Sequence, residues 1–95
     1  MTSTIISILC AYGFAAKTDG SASWGFGTLM WGDTVEVRPM GGDRYAVTVR
    51  HWFYDQYGDP VRDSRETRTL YGGQALAWAF TELPTDFWRF ALRRY

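Results

Sequence analysis

The sequence has a single cysteine, a single histidine, a single lysine and no net charge. Each scarcity excludes something. Cys10 has no partner for an intrachain disulfide and cannot hold a metal alone, which points to a reducing, cytoplasmic setting. With His51 as the only histidine, a zinc site would need carboxylates at ligand spacing, and none stands there. Ten basic residues against ten acidic ones remove any global electrostatic case for DNA or anionic membranes. No apolar run approaches the roughly 20 residues a spanning helix needs. The run from Ile5 to Ala16 ends in small residues but lacks the positive segment that opens a secretion signal. The residues before Cys10, "SIL", also depart from a lipoprotein box. Phosphate-loop chemistry is missing too, because "GFG" and "MGGD" have no following Lys-Ser element. There is no internal repeat and no low-complexity tract.

What is present is apolar and aromatic. Of 95 residues, 46% are hydrophobic and 18% aromatic, so the chain reads as one folded α+β domain over residues 1–95 and not as a disordered one. A chain this short buries only about 60–65% of its unfolded surface, so it needs such a dense core. Arginine supplies every basic side chain except Lys17. Codon bias would produce that; so would a need for bidentate pairing and stacking, which arginine makes and lysine does not.

Ile5, Ile8, Leu9 and Tyr12 recur at helical spacing and predict an N-terminal helix ending near Gly13 to Lys17, although "TIISIL" is also β-branched enough for a strand. Residues 18–27 read as a Gly/Ser loop, with Trp24 and Phe26 on one side of it. Residues 28–31 read as a short strand and Gly32-Asp33 as a turn. "TVEVRP" alternates as a strand with Val35 and Val37 facing one way. "MGGD" is a four-residue hairpin loop. Arg44 to Tyr54 is the longest strand, with Tyr45, Val47, Val49, His51 and Phe53 on one face and Ala46, Thr48, Arg50, Trp52 and Tyr54 on the other. After a turn over residues 55–60, Val61 to Tyr71 returns as a strand polar on both faces, which suits a sheet edge. The period then changes: Leu76, Ala79, Phe80 and Leu83 mark a helix. Thr85 is a candidate cap for a last helix over residues 86–95. The expectation is an antiparallel meander of three or four strands with the N-terminal and C-terminal helices packed on one face.

No constellation supports catalysis. A Cys10–His51 pair has no local signature, and His51 beside Val49 and Phe53 reads as a partly buried residue with one hydrogen bond. Asp55, Asp59, Asp63 and Glu66 alternate with Arg62, Arg65 and Arg68, which would pair with them and hold them ionised. The chain is therefore read as a non-enzymatic binding protein that needs no metal and no cofactor. Tyr45, Val47, Val49 and Phe53 are expected to face the helices, with His51 at their margin. Trp52, Tyr54, Arg50 and the charged return strand take the opposite face, unless Trp52 and Tyr54 cover a second small core with Trp24 and Trp31. Tyr, Trp and Arg dominate interface hot spots. The expected partner-binding residues are accordingly Trp52, Tyr54, Asp55, Tyr57, Asp59, Arg62, Asp63, Arg65, Glu66 and Arg68.

In its length, its ring-dense "RHWFYDQY" and "DFWRFALRRY", its mixed-charge "GDPVRDSRETR" and its lack of a catalytic motif, the chain resembles the small anti-defence proteins of phages and mobile elements, anti-CRISPR proteins among them. The likeness is one of type and not of motif. It implies inhibition of a host defence complex, such as a CRISPR effector, by surface occlusion in the host cytoplasm. Acidic members of that class imitate DNA phosphates; here only Asp55, Asp59, Asp63 and Glu66 could do so. The alternatives are a single-stranded nucleic-acid binder, with Trp52 and Tyr54 flanked by Arg50, Arg62 and Arg68, and a small structural or regulatory subunit. A monomer and a homodimer both fit, and no membrane is implied.

Overall fold

The computed structural model describes residues 4–83. The chain runs α1 (Thr4–Ala11), β1 (Ala15–Ala16), β2 (Ala22–Gly27), β3 (Trp31–Gly41), β4 (Arg44–Tyr54), β5 (Pro60–Tyr71) and α2 (Gly72–Thr81). The strands form one antiparallel meander in the order β1-β2-β3-β4-β5. The architecture is α+β, as the change of period implied, but with five strands instead of three or four. The last predicted helix, over residues 86–95, lies outside the described residues, as does its cap Thr85.

The core forms where the alternation of β3 and β4 meets the two helices. Val35 and Val37 pair with Val49 and Val47, and Tyr45 lies two residues further along the same face. Ile6 and Leu9 of α1 and Ala75 and Ala79 of α2 close over them, with Phe14, Ala22 and Leu83. Burying a side chain of the Val, Leu or Ile kind is worth about 1.5–3 kcal/mol, which makes this layer the main source of cohesion.

The helical stripe of α1 is rotated from expectation, since Ile6 and Leu9 are buried while Ile8 is only half-buried. The helix also stops sooner. The Phe14 N–H reaches the Leu9 carbonyl and the Gly13 N–H that of Cys10, both at 3.1 Å. With Gly13 at φ 109° and Phe14 buried behind it, this is a Schellman stop.

Three local readings need correction. Residues 18–27 are not all loop, because Ala22 to Gly27 pair with β3. The strand and turn expected over residues 28–33 are exchanged: Trp31 to Asp33 lie within β3, and the turn is at Thr28 to Met30. Thr28 holds that turn, its N–H donating to the Trp31 carbonyl at 2.6 Å and its Oγ1 accepting the Met30 N–H at 3.0 Å. The glycines that looked like turn signals are instead places of close approach. A Cβ on Gly27 would lie 2.3 Å from the Trp31 carbonyl oxygen, and one on Gly32 would lie 2.3 Å from the Trp52 ring. The "MGGD" loop is also tighter than expected. Only Gly42 and Asp43 connect β3 and β4, both at positive φ as a two-residue hairpin turn requires, after a bulge between Pro39 and Gly41.

β4 begins and ends where its alternation predicts, and β5 is the expected edge strand. α2 begins two residues earlier than its apolar period, at Gly72, whose N–H donates to the Asp43 carbonyl at 3.0 Å.

Candidate functional site

Alternation along the sheet sorts the charged residues into two populations. On the helix-covered face, the row beyond the core is Phe26, Asp33, His51 and Ser64. The imidazole Nδ1 of His51 is hydrogen-bonded to Asp33 Oδ1, and Nε2 lies 3.4 Å from Glu82 Oε2 at the end of α2. Trp78 Nε1 donates to the other oxygen of Glu82 at 3.1 Å. His51 thus has two acidic partners where one hydrogen bond was expected, and it ties β3, β4 and the end of α2 together. Arg68 stacks on the Trp78 ring at 4.3 Å and pairs with Glu66 at 2.8 Å.

The open face is different. Trp52 packs against Gly32, and its Nε1 donates to the Thr28 carbonyl at 3.0 Å. The Arg50 guanidinium sits 4.8 Å above the Trp52 ring and contacts Asp63 twice at 3.2 Å, while Tyr54 donates to Asp63 at 2.8 Å. The bonds from Arg50 and then Tyr54 hold the Asp63 carboxyl below the usual carboxylate range, and the same bond raises the Tyr54 phenol. Further along, Lys17 reaches Glu36 at 2.7 Å, which raises the lysine, and Thr48 and Thr67 share a hydrogen bond at 3.0 Å. These residues surround a shallow depression of about 450 Å³, lined by Thr34, Thr48 and Thr67 and by the charged Lys17, Glu36, Arg50 and Arg65.

The residues singled out in the sequence therefore do not share one surface. Trp52, Tyr54, Asp63 and Arg65 lie on the open face. Arg62, Glu66 and Arg68 lie on the helix-covered face, since β5 alternates like any strand. Asp55, Tyr57 and Asp59 are at the hairpin tip. Asp55 Oδ1 accepts the Tyr57 N–H at 2.9 Å and the Asp59 N–H at 3.0 Å, and Tyr57 is exposed. Only part of the charged return strand joins Trp52, contrary to expectation. Nor do Trp52 and Tyr54 build a second core with Trp24 and Trp31, because those two project from the other face. Of the four acids considered as phosphate mimics, Asp55, Asp63 and Glu66 are engaged by the chain itself.

A second surface was missed. Beyond α2, on the helix-covered face, Phe26, Trp31 and Phe53 are 54%, 41% and 50% exposed. The Phe26 and Trp31 rings are 5.4 Å apart, and Trp31 pairs with Phe53 across the ladder. Leu29, exposed at 91%, and Met30 extend the patch at the 28–30 turn. The signal was present in "WGFGTLMW", but a loop over residues 18–27 and a separate short strand over residues 28–31 hid the shared face. Asp33 was hidden similarly: placed in a turn, it could not be seen opposite His51.

Among the described residues no cluster of His, Cys, Asp and Glu could hold a metal ion, and no helix is long and apolar enough to cross a membrane. No protein-family model, curated protein or solved structure matches the chain. The functional reading therefore rests on this geometry.

Proposed function

We propose that the chain is a non-enzymatic binding protein that occupies a surface on a larger protein complex. Its resemblance of type suggests that the complex is a host defence assembly such as a CRISPR effector. The observation that carries this reading is the apolar end of the sheet: Phe26, Leu29, Trp31 and Phe53 gathered in one place and left in water. Contiguous exposed rings of this kind are costly in a monomer and mark interaction sites. The projecting β4–β5 hairpin, with Tyr57 at its tip, supplies a polar flank beside them. Aromatic anchors in the middle and charge at the rim are the usual distribution of an interface.

The test is capture of purified effector complexes by the immobilised chain. Retention at micromolar concentration is expected, with Phe53→Ser and Trp31→Ser each weakening it at least tenfold, because buried ring anchors contribute about 2 kcal/mol or more. Absence of retention across the candidate complexes, or full retention by both variants, would remove the proposal.

A further inference from the structure

We infer that the open face of the sheet is a track for single-stranded nucleic acid, a function separate from protein capture by the apolar end. The chain is neutral overall, but its strands segregate charge. Arg38, Arg44, Arg50 and Arg65 fall on the open face by alternation, and Lys17 reaches over it to Glu36. Against these five cations the strands place two acids there, Glu36 and Asp63, and Asp19 lies near enough to Lys17 and Arg38 to interact with both. The other acids of the described residues lie on the helix-covered face, in the turns at Asp43 and residues 55–59, or just past the end of α2. A zero net charge therefore conceals a basic surface.

One feature of that surface favours an anionic ligand. Arg50 and Arg65 stand directly opposite each other in the ladder. Like charges in that position are destabilising. Asp63 compensates Arg50 through two contacts at 3.2 Å and also attracts Arg65 at longer range, but Arg65 makes no direct ion pair with a described residue. Departures from local rules of this kind are expected where function requires them. The floor between the cations is lined by hydroxyls, Thr34, Thr48 and Thr67, a common phosphate-contacting set. The depression they line, about 450 Å³, is shallow and exposed to solvent. Rings mark both limits of the track: Trp52 beneath Arg50, and exposed Tyr71 beside Arg44. From position 44 to position 52 is about 26 Å along an extended strand, at roughly 3.3 Å per residue. A cationic groove with hydroxyls and rings is the arrangement that holds single strands without reading their sequence. A duplex fits less well. The one projecting ribbon, β4–β5, could enter a major groove only tip first, and that tip carries Asp55 and Asp59.

The experiment is fluorescence anisotropy of a labelled oligothymidylate of about 15 nucleotides against the full chain, in 50 and 200 mM salt. A duplex of the same length and a polyglutamate peptide serve as the other probes. Binding to the single strand is expected, with a log–log salt slope near −2, since each phosphate contact contributes about −0.7 and three cations bound the depression. Arg65→Thr is expected to weaken binding about tenfold and to flatten the slope by about 0.7, with a melting temperature equal to or above that of the wild type. Lys17→Gln, at the same depression, should act likewise on affinity and slope. Arg62→Thr, on the opposite face, and Trp31→Ser, in the apolar patch, should bind as the wild type does, which separates this site from the one proposed for protein capture. The inference is overturned if the single strand does not bind in 50 mM salt. Equal binding of the duplex or of polyglutamate would also overturn it, as would an Arg62→Thr loss matching that of Arg65→Thr.

Discussion

Trp52 shows how one side chain can look like an anchor and serve as a clamp. Its sequence position, beside Arg50 and Tyr54 on the polar face of β4, suggested a ring waiting for a partner. In the structure it is half-buried, covers Gly32 and bonds the Thr28 carbonyl, so it holds the β2–β3 turn against β4. Trp52→Ala should therefore cost about 2 kcal/mol, less than the roughly 3–5 kcal/mol of a fully buried aromatic, because much of the ring is in water. Gly32→Ala should cost a comparable 1–3 kcal/mol or so, since its methyl would intrude on the same ring. Urea unfolding measures both. A Trp52→Ala variant as stable as the wild type would return that ring to the set of free anchors.

At the scale of elements, the β4–β5 ribbon depends on its ends more than on its middle. β5 has almost no apolar residue to bury, and of its twelve positions only Leu70 is even half-buried. Its place is secured by the ladder to β4, by the Asp55 loop and by the start of α2 on Asp43. Asp55→Ala removes the acceptor for two backbone N–H groups and should cost about 1 kcal/mol. The loss should appear mostly as faster amide exchange near the tip, with the core β3–β4 pairing little changed. Uniform acceleration across the whole sheet would mean that the tip is part of the global cooperative unit. Element types were largely legible in the sequence. β4 was recovered to the residue because its β-branched alternation is long and uninterrupted. β2 was not, because four of its six residues are Ala, Ser or Gly and carry no such signal, and its glycines answer to residues of the next strand, Thr34 for Gly25 and Trp31 and Gly32 for Gly27.

For the whole molecule, the open-face pairs set a pH window. Asp63 and Asp19 have carboxyls held below their ordinary range, Asp63 by Arg50 and Tyr54 and Asp19 by Ser21. A depressed acid contributes stability above its unfolded pKa, near 3.9, and that contribution is lost as pH falls through the folded value. Tyr54 and Lys17 are raised by Asp63 and Glu36 respectively. Their contributions are complete below the unfolded values, near 10, and are lost as pH rises through the folded ones. The support from these four groups is therefore constant from about pH 5 to pH 9 and declines outside that range. Asp63→Asn should make the acid decline shallower and return the Tyr54 phenol towards its ordinary titration, read as tyrosinate absorbance. An unchanged alkaline titration in that variant would show that the Tyr54–Asp63 bond does not set the phenol's behaviour.

Some of this protein was determined by the sequence alone. Period and composition suffice for an α+β architecture, an antiparallel meander with a polar edge strand, a β-branched core strand and a helix following β5, because each depends on residues close in the chain. The division of β5 between two faces was also readable, since alternation is local. Tertiary structure decided the rest. Register placed Asp33 opposite His51, Arg65 opposite Arg50 and Trp31 opposite Phe53. A shift of one residue in any pairing would have reversed those faces. The apolar end patch and the basic open face are products of register, because residues far apart in the chain become neighbours only when several strands are aligned at once.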